Sequence, residues 1–445
     1  MTMGPGPLPP ARVGWVSHGL LLLLAMVFAD NFVGRQILAV MIEPIKAEFG
    51  VSDTAMGLIS GLAFAAVYAL MGLPAGRLVD RMPRTRLLAM SCLLWAVATM
   101  ACGLAGSFLA LAIARMLVAV SESPTTSASL SMIADLYPPQ RRSFAISCFT
   151  AAPTFSSIIG LGIGAWVVEH YGWRSGFIAL GVPALVFSAL LAFIVRDPQR
   201  GRWDLIPHAH SPSPLLGMGA EARQLWASPA YRCLILAGGL TTLSSYAVGM
   251  WNTSFLVRSH GLSLQHAGLL AGVICGTSAG IGGLFSGWLS DRLSRRHPHW
   301  QTSIPVLGHL MALCALIPYL LWSNAVLIRV GGVPIPSAML WCALYSFFTV
   351  WWVAPSYNLV TQLVPPGRRG SAMALQTIVS TLLGVGVGPL ITGLFSDLLL
   401  PLFGQESLRY ALLLVNLPVI GAVLLLMRTA NHASKTAYRH AAYAS

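Results

Sequence analysis

Twelve apolar stretches, each long enough to cross a lipid bilayer, follow one another along this chain of 445 residues. A membrane-spanning helix needs about 20 predominantly apolar residues. The chain has too few polar side chains for a soluble surface, since only 9% of its residues are charged, against about 25% in an ordinary soluble domain. The sequence therefore excludes a soluble enzyme, a disordered chain and a fibrous repeat, and it predicts an all-α membrane protein. The predicted spans are 16–42, 54–79, 87–105, 108–134, 144–168, 174–195, 231–257, 265–289, 302–324, 336–362, 371–398 and 408–428.

The basic residues predict the orientation of these spans. The net charge is +13, which on a soluble protein would suggest a nucleic-acid partner. However, 20 of the 27 basic residues fall on one side of the spans. The other side holds five: Lys46, Arg174, Arg258, Arg329 and Arg409. Because cytoplasmic loops carry the excess of Lys and Arg, we predict cytoplasmic termini, an inner or plasma membrane location and no nucleic-acid partner.

The spans also predict the domain organisation. We expect a disordered N-terminus at 1–15, an N-terminal six-helix bundle at 16–195 and a cytoplasmic linker at 196–230. A C-terminal six-helix bundle at 231–428 and a cytoplasmic tail at 429–445 follow. The seven cysteines fall singly in apolar runs, without a CxxC pair, so we predict no disulfide frame and no metal site. A phosphate-binding loop and a clustered nucleophile and base are also missing, so we expect neither a cofactor nor enzymatic activity.

The chain matches itself at an offset of 211 residues without a gap. The matched positions in the first half are Ser52, Gly57, Leu58, Gly61, Gly72, Gly76, Leu78, Asp80, Arg81 and Arg84. Their partners are Ser263, Gly268, Leu269, Gly272, Gly283, Gly287, Leu289, Asp291, Arg292 and Arg295. Spans 1–6 and 7–12 are therefore two copies in the same orientation, which is the architecture of a transporter with its substrate path between two bundles.

The repeated segment resembles a family signature. Gly76-Arg-Leu-Val-Asp80-Arg81-Met-Pro-Arg84 follows the second span and resembles the signature of the major facilitator superfamily. It recurs after the eighth span as Gly287-Trp-Leu-Ser-Asp291-Arg292-Leu-Ser-Arg295-Arg296. Both copies depart from the signature, because Pro83 and Ser294 replace its usual loop glycine. The resemblance implies twelve helices in two six-helix bundles.

Within that superfamily the first half is similar to the Spinster group and its bacterial relatives. The similar stretches are Asn31-Phe-Val-Gly-Arg35-Gln, Glu43-Pro-Ile-Lys46-Ala-Glu48, Asp53-Thr-Ala-Met-Gly57-Leu, Ala114-Arg115 with Glu122, and Tyr171-Gly-Trp-Arg174. The resemblance implies proton-driven export of lysolipid-like or sphingolipid-like amphiphiles, or of other organic anions. One departure is Gly34, where members of the group usually have an aspartate before the arginine.

The signature residues also suggest a physical role, which we call the latch. Gly76 and Gly287 remove side chains where a neighbouring helix approaches. We expect Asp80 to lie just past a helix end, where it accepts hydrogen bonds from another helix's N-terminus or pairs with Arg84. Such a contact would hold the cytoplasmic ends of the bundles together and break when the protein opens inward. The alternative is a simple positive-inside loop. The latch residues are Gly76, Asp80, Arg81, Arg84, Gly287, Asp291, Arg292 and Arg295.

Charges inside the bilayer are costly and by default functional. Asp30 and Arg35 lie in the first span, and Arg115 and Glu122 lie in the fourth. On a helix Arg115 and Glu122 face within about 20° of each other but lie roughly 10 Å apart along the axis. This spacing suits a cation and a proton-titratable acid that face one cavity, with Glu122 carrying the proton and Arg115 and Arg35 holding an anion. We further propose that Asp30 replaces the carboxylate absent at Gly34. The alternative is a purely structural ion network.

The second half lacks such charges and offers aromatic and amide side chains. We predict a cavity with one charged wall and one aromatic wall. The candidate substrate-binding residues on the second wall are Tyr246, Trp251, Asn252, Tyr345, Trp351, Trp352, Tyr357 and Asn358, and Asn31 joins the two arginines on the first. Pro124 and Pro355 break the fourth and tenth spans, and matching breaks in the two halves point to a binding region.

The sequence therefore predicts a secondary active transporter that works by alternating access, with proton coupling and an amphiphilic or organic-anion substrate such as a lysolipid-like molecule. The runner-up is a symporter or uniporter of small hydrophilic organic acids. A transporter-like receptor, which binds substrate without moving it, stays open as an alternative. We expect a monomer whose partners are the substrate, protons and the lipid bilayer.

Overall fold

A computed structural model describes residues 14–202, 223–297, 299–322, 325–330, 332–364 and 369–442. In these ranges ten continuous helical stretches are long and apolar enough to cross a membrane. Two of them, Ile158–Phe193 and Ala372–Asn431, contain a glycine with positive φ, Gly172 and Gly404. Only glycine adopts that conformation without a steric cost, so the chain turns there. The ten stretches thus make twelve helical passages, as the sequence predicted.

The passages of the first half are α1 to α6. Their bounds are Trp15–Phe49 (α1), 53–81 (α2, built from Asp53–Gly57, Leu58–Leu62 and Ala63–Arg81), Arg84–Gly103 (α3), Phe108–Leu136 (α4, with a break after Glu122), 139–171 (α5) and 173–193 (α6). Most of the predicted linker, residues 203–222, and most of the predicted disordered N-terminus, residues 1–13, lie outside the described residues.

The passages of the second half are α7 to α12. Their bounds are Pro229–His260 (α7), Leu264–Ser294 (α8), Trp300–Leu321 (α9), 338–363 (α10, built from Ala338–Thr349 and Val353–Leu363), 369–403 (α11) and 407–442 (α12, built from Ser407–Asn416 and Pro418–Ala442). An antiparallel hairpin, β1 (Val326–Val330) and β2 (Val333–Pro336), connects α9 to α10 and is the exception to the all-helical fold among the described residues.

Both predicted helix breaks are present. α4 is interrupted at Ser123 and Pro124, where the Ser123 hydroxyl donates to the Val120 carbonyl at 3.0 Å and so satisfies the acceptor that the proline leaves free. α10 is interrupted between Thr349 and Val353. The two helices are therefore bent at corresponding places in the two halves.

Four of the helices through which the two halves meet share a second irregularity. α2, α5, α8 and α11 each contain a wider π-helical turn, at Leu58–Leu62, Ile158–Ile163, Ala271–Cys275 and Thr381–Val387. Glycines in or beside these turns touch the backbone of the other half. A Cβ on Gly61 would lie 2.5 Å from the Gly386 carbonyl, and one on Gly268 would lie 2.4 Å from the Leu161 carbonyl. Only glycine allows this approach, so the four turns set how closely the halves pack.

This packing is confined to one end of the molecule. We call the end with the loops after α2 and α8 the basic end, and the end with the loops after α1 and α7 the opposite end. Near the opposite end, a Cβ on Gly57 would lie 2.5 Å from the Pro389 carbonyl, and one on Gly393 would lie 2.2 Å from the Asp53 carbonyl. Near the basic end, no described atom lies within 4 Å of such a Cβ on Gly72, Gly76 or Gly283. The halves are therefore in contact at the opposite end and apart at the basic end.

The latch residues consequently differ from the expected arrangement. Asp80 lies inside the last turn of α2, not beyond it, and its side chain is exposed. Arg84 pairs instead with Asp135 and Asp197 and is 1% exposed. Arg84 begins α3, where the carboxylate of Asp197 accepts both its backbone N–H at 2.7 Å and its Nε–H at 3.1 Å. Asp197 therefore both caps the start of α3 and pairs with Arg84, so Arg84 does not pair with Asp80 as expected.

The linker begins as ordered structure. Arg200 donates to the carbonyls of Val79, Asp80 and Met82 at 2.6–2.7 Å, and so binds the end of α2. The second signature copy has no such anchor among the described residues. There the guanidinium carbon of Arg292 lies 5.5 Å from the centre of the Trp288 ring. A Cβ on Gly287 would lie 4.0 Å from the Ala354 side chain and would meet no other described atom within that distance. Asp291 and Arg295 are exposed.

Candidate functional site

A cavity of about 340 Å³ lies between the two halves, near the middle of α1 and α7. Both halves line it. Five of the predicted site residues do so: Arg35 and Arg115 from the first half, and Tyr246, Asn252 and Tyr345 from the second. Among the described lining residues these two arginines carry the only charges, so the charges lie on the wall that the first half forms.

Arg35 is held by the predicted proton carrier. Its Nε and Nη2 both donate to Oε2 of Glu122, at 2.9 Å and 2.7 Å. The rings of Phe32, Phe64 and Tyr68 lie 5.0–5.2 Å from its guanidinium carbon, which is within cation–π range. Glu122 is 2% exposed, and its second oxygen, Oε1, has no partner among the described residues. The pair therefore leaves one carboxylate oxygen free to take a proton.

Arg115 faces the same cavity with a different environment. It is 4% exposed, and its guanidinium lies over the Phe64 ring at 5.3 Å. No hydrogen bond or ion pair of Arg115 occurs among the described residues, and its Nε is buried without a partner. An unpaired buried cation is costly. The site thus contains one neutralised arginine and one arginine that lacks a counter-charge.

The second wall is polar but uncharged. Tyr319 donates to Oδ1 of Asn252, whose amide lies 3.6 Å from Sγ of Cys275. Cys275 lies 3.2 Å from Sγ of Cys342. These groups already bond to one another, whereas the buried hydroxyl of Tyr345 on the same wall has no partner among the described residues and is free to donate to a ligand.

Other predicted residues lie outside the cavity lining. Trp251 is buried and donates to the Pro389 carbonyl at 3.0 Å, so it joins α7 to α11. Trp351 is packed among the rings of Phe285, Phe347 and Phe348 with centroid distances of 5.0–5.7 Å. We assign both tryptophans to packing. The remaining predicted binding and proton-coupling residues also lie outside the lining. Four of them are buried, namely Asp30, Asn31, Glu122 and Trp352, and two are exposed on α10, namely Tyr357 and Asn358.

The structure adds a charged cluster at the opposite end that the sequence did not assign. We call it the gate cluster: Glu43, Lys46, Asp53, Arg258, Ser396 and Asp397. Arg258 of α7 donates to Oε1 of Glu43 at 2.7 Å and 3.0 Å and to both oxygens of Asp53 at 2.7 Å and 2.8 Å. Asp53 also accepts from Lys46 and, at 2.6 Å, from Ser396 of α11. These contacts join the two halves.

Two further carboxylates cap helices across the boundary between the halves. Asp397 of α11 accepts from the backbone N–H of Asp53 at 3.0 Å and of Thr54 at 2.7 Å, at the start of α2. Glu169 of α5 accepts from the backbone N–H of Gln265 at the start of α8. Helix N-termini carry unsatisfied N–H groups and a partial positive charge. Each half therefore supplies an acid to a helix start in the other half.

The sequence signal for this cluster was weak. Lys46 and Arg258 stood out as basic residues on the side with few of them, and Ser52 and Ser263 occupy matched cap positions in the repeat. Nothing in a single sequence indicates that Asp397 lies opposite residue 53, because 344 residues separate them.

Comparison with known proteins agrees with this architecture. The sequence model of the Major Facilitator Superfamily matches residues 22–389. An MFS-type efflux pump of Mycolicibacterium smegmatis is 30% identical over 414 residues, which cover 93% of this chain and 92% of that protein. Protein spinster homolog 1 of Xenopus tropicalis is 23% identical over 431 residues, which cover 89% and 78%.

A solved structure has the same fold. The inward-facing, unoccupied crystal structure of a bacterial homolog to the human lysosomal transporter Spinster superposes with a TM-score of 0.83. It is 24% identical in sequence and covers 95% of this chain and 99% of its own.

The gate cluster predicts that Arg258→Met opens the opposite end. Hydrogen bonds to charged groups contribute about 1.5–3 kcal/mol each, so the loss of Arg258 should change the ratio of the two states at least tenfold. Spin labels at Gly106→Cys and Leu402→Cys, in a cysteine-free background, report the separation of the halves at this end. We expect a new, longer distance in the variant.

The matched control is Arg174→Met. Arg174 pairs with Glu48 at the same end, but both belong to the first half and are more than a third exposed. Its removal should leave the label distance unchanged. An identical distribution in the Arg258 and Arg174 variants would contradict the role of the gate cluster.

Substitution of the two buried arginines of the first half should change the free energy of unfolding in opposite directions. Arg115→Met removes an unpaired buried charge and should raise the free energy of unfolding by about 1 kcal/mol or more. Arg84→Met leaves Asp135 and Asp197 without their partner and should lower it by about 3–5 kcal/mol. Thermal unfolding in detergent measures both. A destabilised Arg115 variant would mean that this arginine has a structural partner.

Proposed function

The chain belongs to the major facilitator superfamily, and we propose that it is a proton-coupled transporter that moves an anionic amphiphile by alternating access. It is a multi-pass membrane protein of a family of transporters of small molecules, not of enzymes. The observation that carries the proposal is Arg115, a buried cation that faces the cavity between the halves and has no ion pair among the described residues.

The cavity suits an amphiphile with an anionic headgroup. An anion on Arg115 forms a charge-assisted hydrogen bond and removes the cost of the unpaired charge. The rest of the lining includes Phe32, Phe64, Leu161 and Met250, against which an apolar tail can pack.

Glu122 provides the proton step. When it is ionised, it neutralises Arg35 through two hydrogen bonds to Oε2. When Oε1 or Oε2 takes a proton, the charge of Arg35 is no longer balanced, so both arginines can hold the substrate anion. Loss of the proton restores the Arg35–Glu122 pair and releases the anion. Asp30, an electrostatic neighbour of Glu122, is the second proton carrier in this proposal.

In this proposal the conformational cycle exchanges which of the two ends is closed by contact between the halves. By the positive-inside rule the basic end faces the cytoplasm, so the gate cluster closes the outward side in the present state. In the alternate state the gate cluster separates and the latch residues around Gly76, Asp80, Gly287 and Asp291 meet. We place the protein in the cell membrane as a monomer, because one chain supplies the whole cavity.

Flux in proteoliposomes tests the function. Purified protein should move a lysophospholipid with an anionic headgroup, faster with a pH gradient than without one. A hydrophilic dicarboxylate such as succinate tests the alternative substrate class. Arg115→Gln should weaken lysolipid binding at least tenfold, since a hydrogen bond to a charged group is lost. Binding without flux would identify a receptor, and flux of succinate alone would favour the organic-acid transporter.

Glu122→Gln separates coupling from transport. The neutral amide keeps the size of the side chain but cannot exchange a proton, so accumulation driven by a pH gradient should disappear. Exchange of labelled for unlabelled substrate at equal pH should remain measurable. Retention of gradient-driven accumulation would exclude Glu122 as the coupling residue.

Asp30→Asn tests the second carboxylate in the same assay. If Asp30 replaces the aspartate absent at Gly34, this variant should lose the pH dependence of transport. A variant that still couples fully to a proton gradient removes Asp30 from the proton path. Gly34→Asp in the Asp30→Asn background should then restore coupling only if the two positions serve one role.

A further inference from the structure

A second cavity lies wholly within the first half, on the far side of α1 from the central one. It measures about 380 Å³ and is enclosed by α1, α5 and α6. We call it the lateral crevice. Its lining shares no residue with that of the central cavity. Met26, Ile159 and Ile163 line it and are 39–61% exposed on the lipid-facing surface, so a molecule in the bilayer can reach it.

The lateral crevice combines an apolar lining with one acid. Val33, Ala179, Leu180 and Pro183 are typical of its walls. Asp30 is the one charged residue among the described residues that line it. Asp30 is 8% exposed and lies near the middle of α1, at the depth where the bilayer offers neither water nor ions.

Among the described residues, Asp30 has no partner that explains its position. Its Oδ2 is buried without a hydrogen bond, and no ion pair of Asp30 occurs among the described residues. The arginine of the same helix, Arg35, is bound to Glu122. Glu122 itself and Cys92 are the titratable groups that neighbour Asp30 from α4 and α3. Because Arg35 and Glu122 neutralise each other, no cation among the described residues is left to pair with Asp30.

We propose that the lateral crevice is a binding site for a monovalent hydrophobic cation, with Asp30 as its counter-ion. The apolar walls bury the rings or chains of the ligand, and the carboxylate neutralises its charge in a place where an unpaired ion is costly. An acyl chain of a neutral lipid would fill the same volume but would gain nothing from a carboxylate. The site is distinct from the anion site at Arg115. It shares Asp30 with the proposed proton path, but its occupancy requires neither a proton gradient nor transport.

Equilibrium binding to detergent-purified protein, without any gradient, tests this site. The probe is tetraphenylphosphonium, and tetraphenylborate serves as the control of similar shape and opposite charge. We expect saturable binding of the cation that depends on Asp30, whereas any binding of the anion, at Arg115 in the central cavity, should not depend on Asp30. Asp30→Asn should weaken cation binding at least tenfold, and Asp30→Glu should retain it.

A second pair of variants locates the site without changing charge. Ala179 is exposed and lines the crevice, so Ala179→Phe should fill it and block tetraphenylphosphonium. Val182 lies on the same helix, is 51% exposed and does not line the crevice, so Val182→Phe should bind normally. An equal effect of Asp30→Asn on the binding of the two probes, or unchanged cation binding in both Asp30→Asn and Ala179→Phe, would overturn the proposal. None of these outcomes depends on flux or proton coupling.

Discussion

The rest of the structure depends on two carboxylates that cap helices of the opposite half. Asp397 satisfies the first N–H groups of α2, and Glu169 does the same for α8. In the absence of the partner half, these N–H groups would need water or a side chain of their own half. Because the caps lie at one end, they close that end and leave the basic end apart, which in turn gives the central cavity its shape.

The internal repeat explains why the two caps occur as a pair. Arg258, in contrast, has no counterpart in the first half. The starts of α2 and α8 are matched in the repeat, with Ser52 and Ser263 as local caps. The position that corresponds to Arg258 in the first half is Ala47. Arg258 therefore adds a contact that the symmetry does not provide, and it joins Glu43 and Asp53 in a single cluster. The closed end is held by a symmetric pair of caps and one asymmetric arginine.

The sequence predicted the helices well and the site only partly. Bilayer thickness fixes the length of an apolar span, so the twelve passages and the breaks at Pro124 and Pro355 could be read from the chain. The spacing of Arg115 and Glu122 excluded a pair between them, but the choice of Arg35 as partner depends on how α1 packs against α4. Trp351 was misplaced for another reason. In a membrane the lipid-facing, packed and cavity-facing surfaces of a helix are all apolar, so an aromatic residue does not reveal its direction.

The distribution of close-packed glycines indicates that the conformation closed at the opposite end is one of two conformations of the protein. Gly57 and Gly393 have a packing reason here, since any side chain would collide with backbone of the other half. Gly76 and Gly283 have none, because no described atom approaches them. Glycine lowers helix stability by about 1 kcal/mol relative to alanine. A state in which the halves meet at the basic end would supply the missing reason. In that state Arg84, fixed by Asp135 and Asp197, would hold the first signature loop still while the unanchored second loop moves toward it.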